Sequence, residues 1–459
     1  MARTSLNYEQ LNRLLSSSAL TFGAPKNEIG LPVYSFSDIE FSEEITLYQI
    51  NEANSRIEFI NCTFLGAVNF RISDCNVQLF FSKCIFEKDV NFEKGNYPHY
   101  IGFSESTFLS KLEFAGGAYA LVALVSLNAR NLTVKGGEFG NLQVSKIHPA
   151  VYFIKELNLF SGFSGQLSFQ GITAFCVLID GIIGKDADVL FSDIKTFFFN
   201  IFNVDVKGKI RLTKIKQIRY DELKYVLEND KEEGKYVELF KYHSTFQICR
   251  SYLANTEFQN IAFENFSSLI IAESFIEDCV FSNVTWPADI KSNSKILYDD
   301  SINHLYTAGS RNSFELERDV YRQLKSAMKS QHDVIGSQFF YGKEMMSYYK
   351  SIHFIEQPGT KTIIWLSFVS SNFGQSLRRP LLCMLLLNGF FYFLLVYFNY
   401  IGYPESIGSL FGSFLFYNNP LHKAPDNWTS WNYVIDVSMR IVSSYAIYNF
   451  IRASRRFLT

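Results

Sequence analysis

Several features that assign a function quickly are missing from this chain. Charge of one sign is absent, with 43 Lys+Arg against 45 Asp+Glu in 459 residues, a net charge of −2. A strongly basic nucleic-acid platform is thereby excluded. Cysteine is sparse and odd in number, seven scattered residues, which points to free thiols in a reducing compartment rather than a disulfide framework. The seven histidines stand far apart, with no Cys or carboxylate at ligand spacing beside them, so no metal or other cofactor is expected. No phosphate-cradling glycine loop occurs, and Gly162-Phe163-Ser164-Gly165, the nearest approach to an esterase elbow, has the wrong spacing. Polysaccharide-cleaving β-helices need clustered carboxylates in a groove. None is found, so no catalytic residue is assigned and the chain reads as a non-enzyme. The opening MARTSLNYEQLNRLLSSSALTF offers no apolar run for a secretory core, so the larger part of the chain is expected to stay in the cytoplasm, and the expected location is the inner (cytoplasmic) membrane.

What the chain has is phenylalanine, 46 residues, with 26 tyrosines. Between Phe59 and Phe114 one pattern occurs three times, as FINCTFLGAVNF, FSKCIFEKDVNF and FSESTFLSKLEF. The step is 22 residues throughout. Phe59, Phe81 and Phe103 lead the copies; Phe64, Phe86 and Phe108 stand sixth, and Phe70, Phe92 and Phe114 twelfth. A fixed period of this length marks a solenoid whose units stack on their neighbours. Apolar spacings of two within a unit are strand-like. Together they predict a parallel β-helix with phenylalanine ladders inside, the alternative being a β-sandwich of alternating strands. Cys62 and Cys84 fall at the same repeat position and are expected to stack as small core residues. The pattern weakens around Leu127, Leu132 and Val134 and returns at Phe169 and Phe191, again 22 apart.

The organisation follows from composition shifts. Residues 1–30 read as an arm or cap, 31–213 as coils, 214–245 as a charged helical insertion with Leu223, Val226 and Leu227 on one face, and 246–290 as the final coils. Trp286-Pro287 is the expected end, since proline donates to no further ladder. Residues 291–313 form a linker. Residues 314–350 form an αα-hairpin, with Leu316, Val320, Leu324 and Ala327 on one face of its first helix. Ile335, Phe339, Met346 and Tyr349 lie on one face of its second, where Gly342 costs about 1 kcal/mol against alanine. The hairpin's apolar side is expected to cover the last coil. A juxtamembrane linker, 351–380, leads to a transmembrane region, 381–459.

The residues Arg318-Asp319-Val320-Tyr321-Arg322-Gln323-Leu324-Lys325, Phe340-Tyr341-Gly342-Lys343-Glu344-Met345, Ser371-Asn372-Phe373-Gly374-Gln375-Ser376 and Tyr448-Asn449-Phe450-Ile451-Arg452-Ala453 carry a resemblance. With the coils before them, they resemble the bacterial pentapeptide-repeat membrane proteins. The coils depart from that family's A-D/N-L-x-x consensus, being Phe-rich and 22 rather than 20 residues long. The repeat and the resemblance together imply a mainly β fold: a cytoplasmic right-handed parallel β-helix of about 22 residues per coil, followed by a C-terminal α-helical hairpin and two transmembrane helices.

Residues 381–403 hold 23 residues without a charge, enough to cross a hydrocarbon layer of about 30 Å; a buried soluble helix is the alternative. Residues 406–417 suit an interfacial segment, and 431–451 a second span. Arg378 and Arg379 before the first span, with Arg452, Arg455 and Arg456 after the second, place both termini in the cytoplasm. Asn388, Asp436 and Arg440 are the candidate pore-lining or intramembrane polar residues, because polar groups in a span face a bundle interior or water. Asp436 and Arg440 are four apart and alternatively neutralise each other. Membrane lipid is one expected partner. A protein on the solenoid is another, since residues 31–290 carry 23 Lys+Arg against 32 Asp+Glu, a balance of −9 that argues against nucleic acid. A two-span chain cannot enclose a pore alone, so a homo-oligomer is expected. The function expected is a solenoid that binds a partner and controls an oligomeric channel or membrane-permeabilising unit. Anti-phage defence is what the family resemblance implies for it, and a passive membrane-tethered scaffold is the alternative.

Overall fold

The three copies of the repeat become consecutive coils of a parallel β-solenoid. The protein is described here by a computed structural model that covers residues 4–6, 33–48, 55–146, 153–218, 244–291, 313–398, 401, 406–423, 428 and 430–455. It divides into two units, Met1–Gly309 and Ser310–Thr459. In the first unit the chain makes about ten turns of about 22 residues each. One coil consists of the strands Ser55–Ile60, Thr63–Phe64 and Val68–Phe70, which pair in parallel with Val77–Ser82, Ile85–Phe86 and Val90–Phe92 of the next.

The register reads directly as a ladder. One rail joins Phe36, Phe59, Phe81, Phe103, Leu124, Val144, Phe169, Phe191, Leu212, Phe258 and Phe281, each paired with the next. Its steps of 21, 20 and 25 residues after Phe103 explain why the repeat fades from the sequence there. Coil length drifts, while the pairing stays continuous. Leu127, Leu132 and Val134, in the faded stretch, are all buried. The nine phenylalanines of the three copies are at most 4 % exposed. Their rings stack along the axis, with centroids 4.3 Å apart for Phe70–Phe92 and 5.0 Å for Phe59–Phe81. That spacing is the strand separation of a sheet, so backbone hydrogen bonding and ring stacking are satisfied together.

In most coils the chain turns at a residue two places after the rail. Asp38, Asn61, Lys83, Glu105, Ser126, Asp193, Lys214, Asn260 and Asn283 all have φ between 50° and 59°. Left-handed backbone at a non-glycine residue is uncommon and costs about 1–2 kcal/mol, so the ladder on either side imposes it. The buried donor that follows the turn is satisfied by the preceding coil: Cys62 Sγ donates to the Phe36 carbonyl at 3.3 Å, and Cys84 Sγ to that of Phe59 at 3.3 Å. The two thiols are fully buried, as the repeat position predicted.

Three boundaries differ from the sequence reading. Thr4–Leu6, in the expected arm, is a strand paired with Ile39–Phe41 and so adds a rung. Coil structure runs on to Ile218 and resumes by Ser244, with Lys216–Gln217 paired to Lys195–Thr196. The expected insertion helix and its Leu223, Val226 and Leu227 lie outside the described residues. Bridges Ala262–Thr285 and Ile270–Lys291 carry the ladder past Pro287.

The second unit is helical: α1 (Ser313–Ser330), α2 (Val334–Ser351), α3 (Pro358–Ser371), α4 (Arg378–Tyr397), α5 (Ile407–Asn418) and α6 (Ser430–Arg455). The α1–α2 hairpin turns at His332 in left-handed backbone, and Asp333 caps α2 by accepting from the Gly336 amide at 2.9 Å. Leu316, Val320, Leu324 and Ala327 are buried as expected. The α2 face is not the expected one: Ile335 is 53 % exposed, while Phe340, Glu344 and Ser347 are buried. Glu344 accepts from Lys325 at 2.6 Å, and Ser347 donates to Glu317 at 3.3 Å. A second side of α2, carrying Tyr341, Met345 and Met346, packs on Ile364 and Phe373. Covered on two sides, α2 has no single apolar stripe. The expected juxtamembrane linker contains a helix of 14 residues, α3.

Candidate functional site

The candidate site lies among α4, α5 and α6, whose pattern is inverted relative to a water-soluble bundle. On α6 the inward stripe is Asn432, Asp436, Met439, Ser443, Ala446, Asn449 and Ala453, each at most 5 % exposed and spaced by three or four. Polar residues dominate it. The outward positions Val434, Val437, Ile441 and Tyr448 are apolar or aromatic and 50–63 % exposed. On α4, Asn388, Tyr392 and Leu395 face inward, while Leu386, Phe390 and Phe393 are 57–73 % exposed.

Two polar clusters occupy the interior. In the first, Asn388 is fully buried and donates from Nδ2 to Asn418 Oδ1 at 2.6 Å and to Ser443 Oγ at 2.7 Å. One side chain thus ties α4 to both α5 and α6. In the second, Arg440 donates from Nε to Asp436 Oδ2 at 2.8 Å, one helical turn away. Asp436 is 1 % exposed and has a second partner, His422, whose Nε2 stands 2.8 Å from Oδ1.

The histidine geometry is constrained on both sides. Its Nδ1 lies 2.7 Å from the Asn419 carbonyl, which only accepts, so Nδ1 carries a proton. A second proton on Nε2 serves Asp436 Oδ1, which otherwise has no donor. A bare Nε2 instead accepts from Arg440 Nη2, 3.4 Å away. Nε2 of His422 thus lies within reach of both members of the pair. Phe416 and Tyr417 pack their rings against it, each with a centroid separation of 5.2 Å.

Of the sequence candidates, Asp436 and Arg440 are paired, and Asn388 belongs to a separate cluster. His422, Asn418 and Ser443 were not singled out. The signal available for His422 was a histidine in the short connection between two apolar segments. Among the described residues, no group of three His, Cys, Asp or Glu is placed to hold a metal ion.

One helix among the described residues, Arg378–Tyr397, is long and apolar enough to cross a membrane by length and composition. It starts three residues before the expected span and stops six short of its end. The expected second span is a continuous helix, Ser430–Arg455, but its polar stripe keeps its composition below that standard.

Around the other end of these helices is the turn Asn372-Phe373-Gly374, with φ of 49°, 59° and 82°. Three consecutive left-handed residues, one a buried phenylalanine, need strong tertiary support. Gln375 supplies part of it, donating from Nε2 to the Gln338 carbonyl at 2.8 Å. The Arg452 guanidinium lies over Tyr341, 5.4 Å from the ring centroid, and its side chain passes beside Gly374. The segments that carried the family resemblance thus meet at one place in the second unit. Comparisons with protein-family models, curated proteins and solved structures return no match for this chain.

Proposed function

We propose that the protein is a membrane-anchored solenoid of the pentapeptide-repeat kind, with its right-handed coils and both termini in the cytoplasm. Its α4–α6 region forms an oligomeric channel or membrane-permeabilising unit. The observation that carries this reading is the inverted pattern of α4 and α6, apolar outside and polar inside. Such a surface is unfavourable in water and natural in hydrocarbon. α4 is about 30 Å long at 1.5 Å per residue, and α6 is longer. A polar interior is expensive for an anchor and useful for a unit that opens to water. In this reading the described arrangement is closed, with Asn388, Asp436 and Arg440 engaged within the chain. The acidic solenoid recognises a protein partner and controls opening, and depolarisation serves anti-phage defence.

A second reading, a passive tether for a protein-binding scaffold, is favoured by the same pairing of Asp436 with Arg440. The deciding experiment expresses the full chain in cells and follows membrane potential under inducing conditions, including phage challenge. Beside it runs an Asp436→Leu, Arg440→Leu double variant, which removes the charges without stranding either one. Depolarisation by the native chain that the variant lacks supports the permeabilising unit. No depolarisation under any condition leaves the tether.

A further inference from the structure

The helix that the sequence hid, α3, exposes an apolar face and turns part of its Thr and Ser content inward. Its inward residues Ile364 and Phe368 pack in a cluster with Ile352, Phe373 and residues of α2. Its outward residues Ile363, Trp365, Leu366 and Val369 are 68, 48, 48 and 40 % exposed. An exposed face of four large apolar residues is unfavourable in water and suits a non-aqueous medium. Fourteen residues give about 21 Å, too short to cross a bilayer core of about 30 Å.

Its position fixes what the outward face meets. The last turn of α3 touches the start of α4, where Arg379 Nη1 donates to the Phe368 carbonyl at 3.1 Å and Cys383 Sγ to that of Val369 at 3.9 Å. It also touches α6, where the Ser370 and Tyr445 hydroxyls are 3.1 Å apart. The α3 face therefore continues into the apolar surface of the spanning helices at the arginine-bearing end of α4. From residue 351 to 380 the charges are Lys361, Arg378 and Arg379 against Glu356. Lys361 bonds the Ile352 carbonyl at 2.8 Å, at the start of α3. A short helix with an apolar exposed face, a tryptophan and a basic border suits an interfacial segment.

We propose that α3 lies in the surface of an anionic lipid leaflet, with Ile363, Trp365, Leu366 and Val369 inserted at the headgroup–acyl boundary. It thereby holds the α1–α2 hairpin, packed on its other face, at the membrane surface. This rests on the reading of α4 as a span, and the test separates the two.

The full chain is reconstituted into vesicles of phosphatidylcholine and phosphatidylglycerol with bromine on the acyl chains, near the headgroup or near the chain end. Tryptophan emission of the native chain minus that of Trp365→Phe isolates Trp365, and a Phe390→Trp variant minus the native chain isolates the middle of α4. Trp365 is expected to lose roughly half its emission to shallow bromine and less to deep bromine, with the reverse at position 390. The Trp365 loss is expected to weaken in vesicles without phosphatidylglycerol. Quenching of Trp365 by aqueous acrylamide but not by bromolipid, with position 390 quenched by lipid, overturns the proposal and leaves the span. Protection of Trp365 from both quenchers assigns its face to a second copy of the chain and also overturns it. Absence of lipid quenching at both positions removes the span and the proposal together.

Discussion

Gly342 lacks the β-carbon whose place the Gln375 side-chain amide occupies. A glycine that costs helix propensity in the middle of α2 is thereby explained, because the Gln375 amide reaches through the gap to the Gln338 carbonyl. Alanine at 342 is expected to lower the stability of the detergent-solubilised protein, displacing a hydrogen bond of about 1 kcal/mol and loosening the left-handed turn before it. In a Gln375→Ala background the same change is expected to raise stability by about 1 kcal/mol, the helix propensity alone. A double-mutant cycle by thermal unfolding reads the reversal of sign. The same sign in both backgrounds contradicts the account.

The ladder predicts a sharp contrast between neighbours. Phe86 is 1 % exposed and stacked between Phe64 and Phe108, whereas the adjoining Ile85 is 38 % exposed. Phe86→Ala is expected to destabilise the solenoid by about 3–5 kcal/mol, and Ile85→Ala by less than about 1 kcal/mol. Denaturant unfolding followed by circular dichroism near the strand band measures both. Equal effects would refute the interior ladder.

At the candidate site, Asp436→Ala leaves Arg440 and His422 without their shared carboxylate. Removal of one member of a buried ion pair costs about 3–5 kcal/mol. Replacing all three by Leu, Leu and Phe is expected to recover most of that loss. Unfolding in detergent compares the two variants. A triple variant no better than Asp436→Ala would show that the cluster is held by more than its own charges.

The buried thiols set an alkaline limit on the coils. Burial pushes the Cys75 thiol up from 9.0 to about 11. Between these values the unfolded chain has lost the proton and the folded chain keeps it, so stability falls as pH rises from about 9 to about 11 and is unaffected below. For Cys75 alone the loss is on the order of 2 kcal/mol by pH 11. Cys75→Val is expected to flatten that part of the stability–pH curve, measured by urea unfolding at pH 8, 9, 10 and 11. An unchanged slope in the variant counts against the assignment.

The phenylalanine rails were legible because one residue type recurs at one step, and the hairpin's first helix because Leu316 to Ala327 form a single stripe. The coil corners were not, since Asp38, Lys83, Glu105 and Ser126 share a backbone conformation but no chemistry. Tertiary pairing places them there against local preference. α3 escaped notice for a related reason: with apolar and small polar residues mixed around it, PGTKTIIWLSFVSS shows no amphipathic period. Asp436 and Arg440 were readable from a spacing of four. His422 was not, because it reaches Asp436 by tertiary contact rather than through periodicity.

The continuous pairing of the first rail makes the solenoid a ruler. Every rung presents its successor with the same backbone edge, and the strand separation is about 4.8 Å. Removing one 22-residue unit, from Lys83 through Ser104, joins Ser82 to Glu105 and brings Phe59 and Leu124 each one step closer to the opposite end of the rail. Length can thus change in discrete increments while the surfaces at both ends keep their shapes. Where a partner grips coils some rungs apart, such an edit would shift the distance between its two handholds by about 4.8 Å per unit and alter nothing else in the grip.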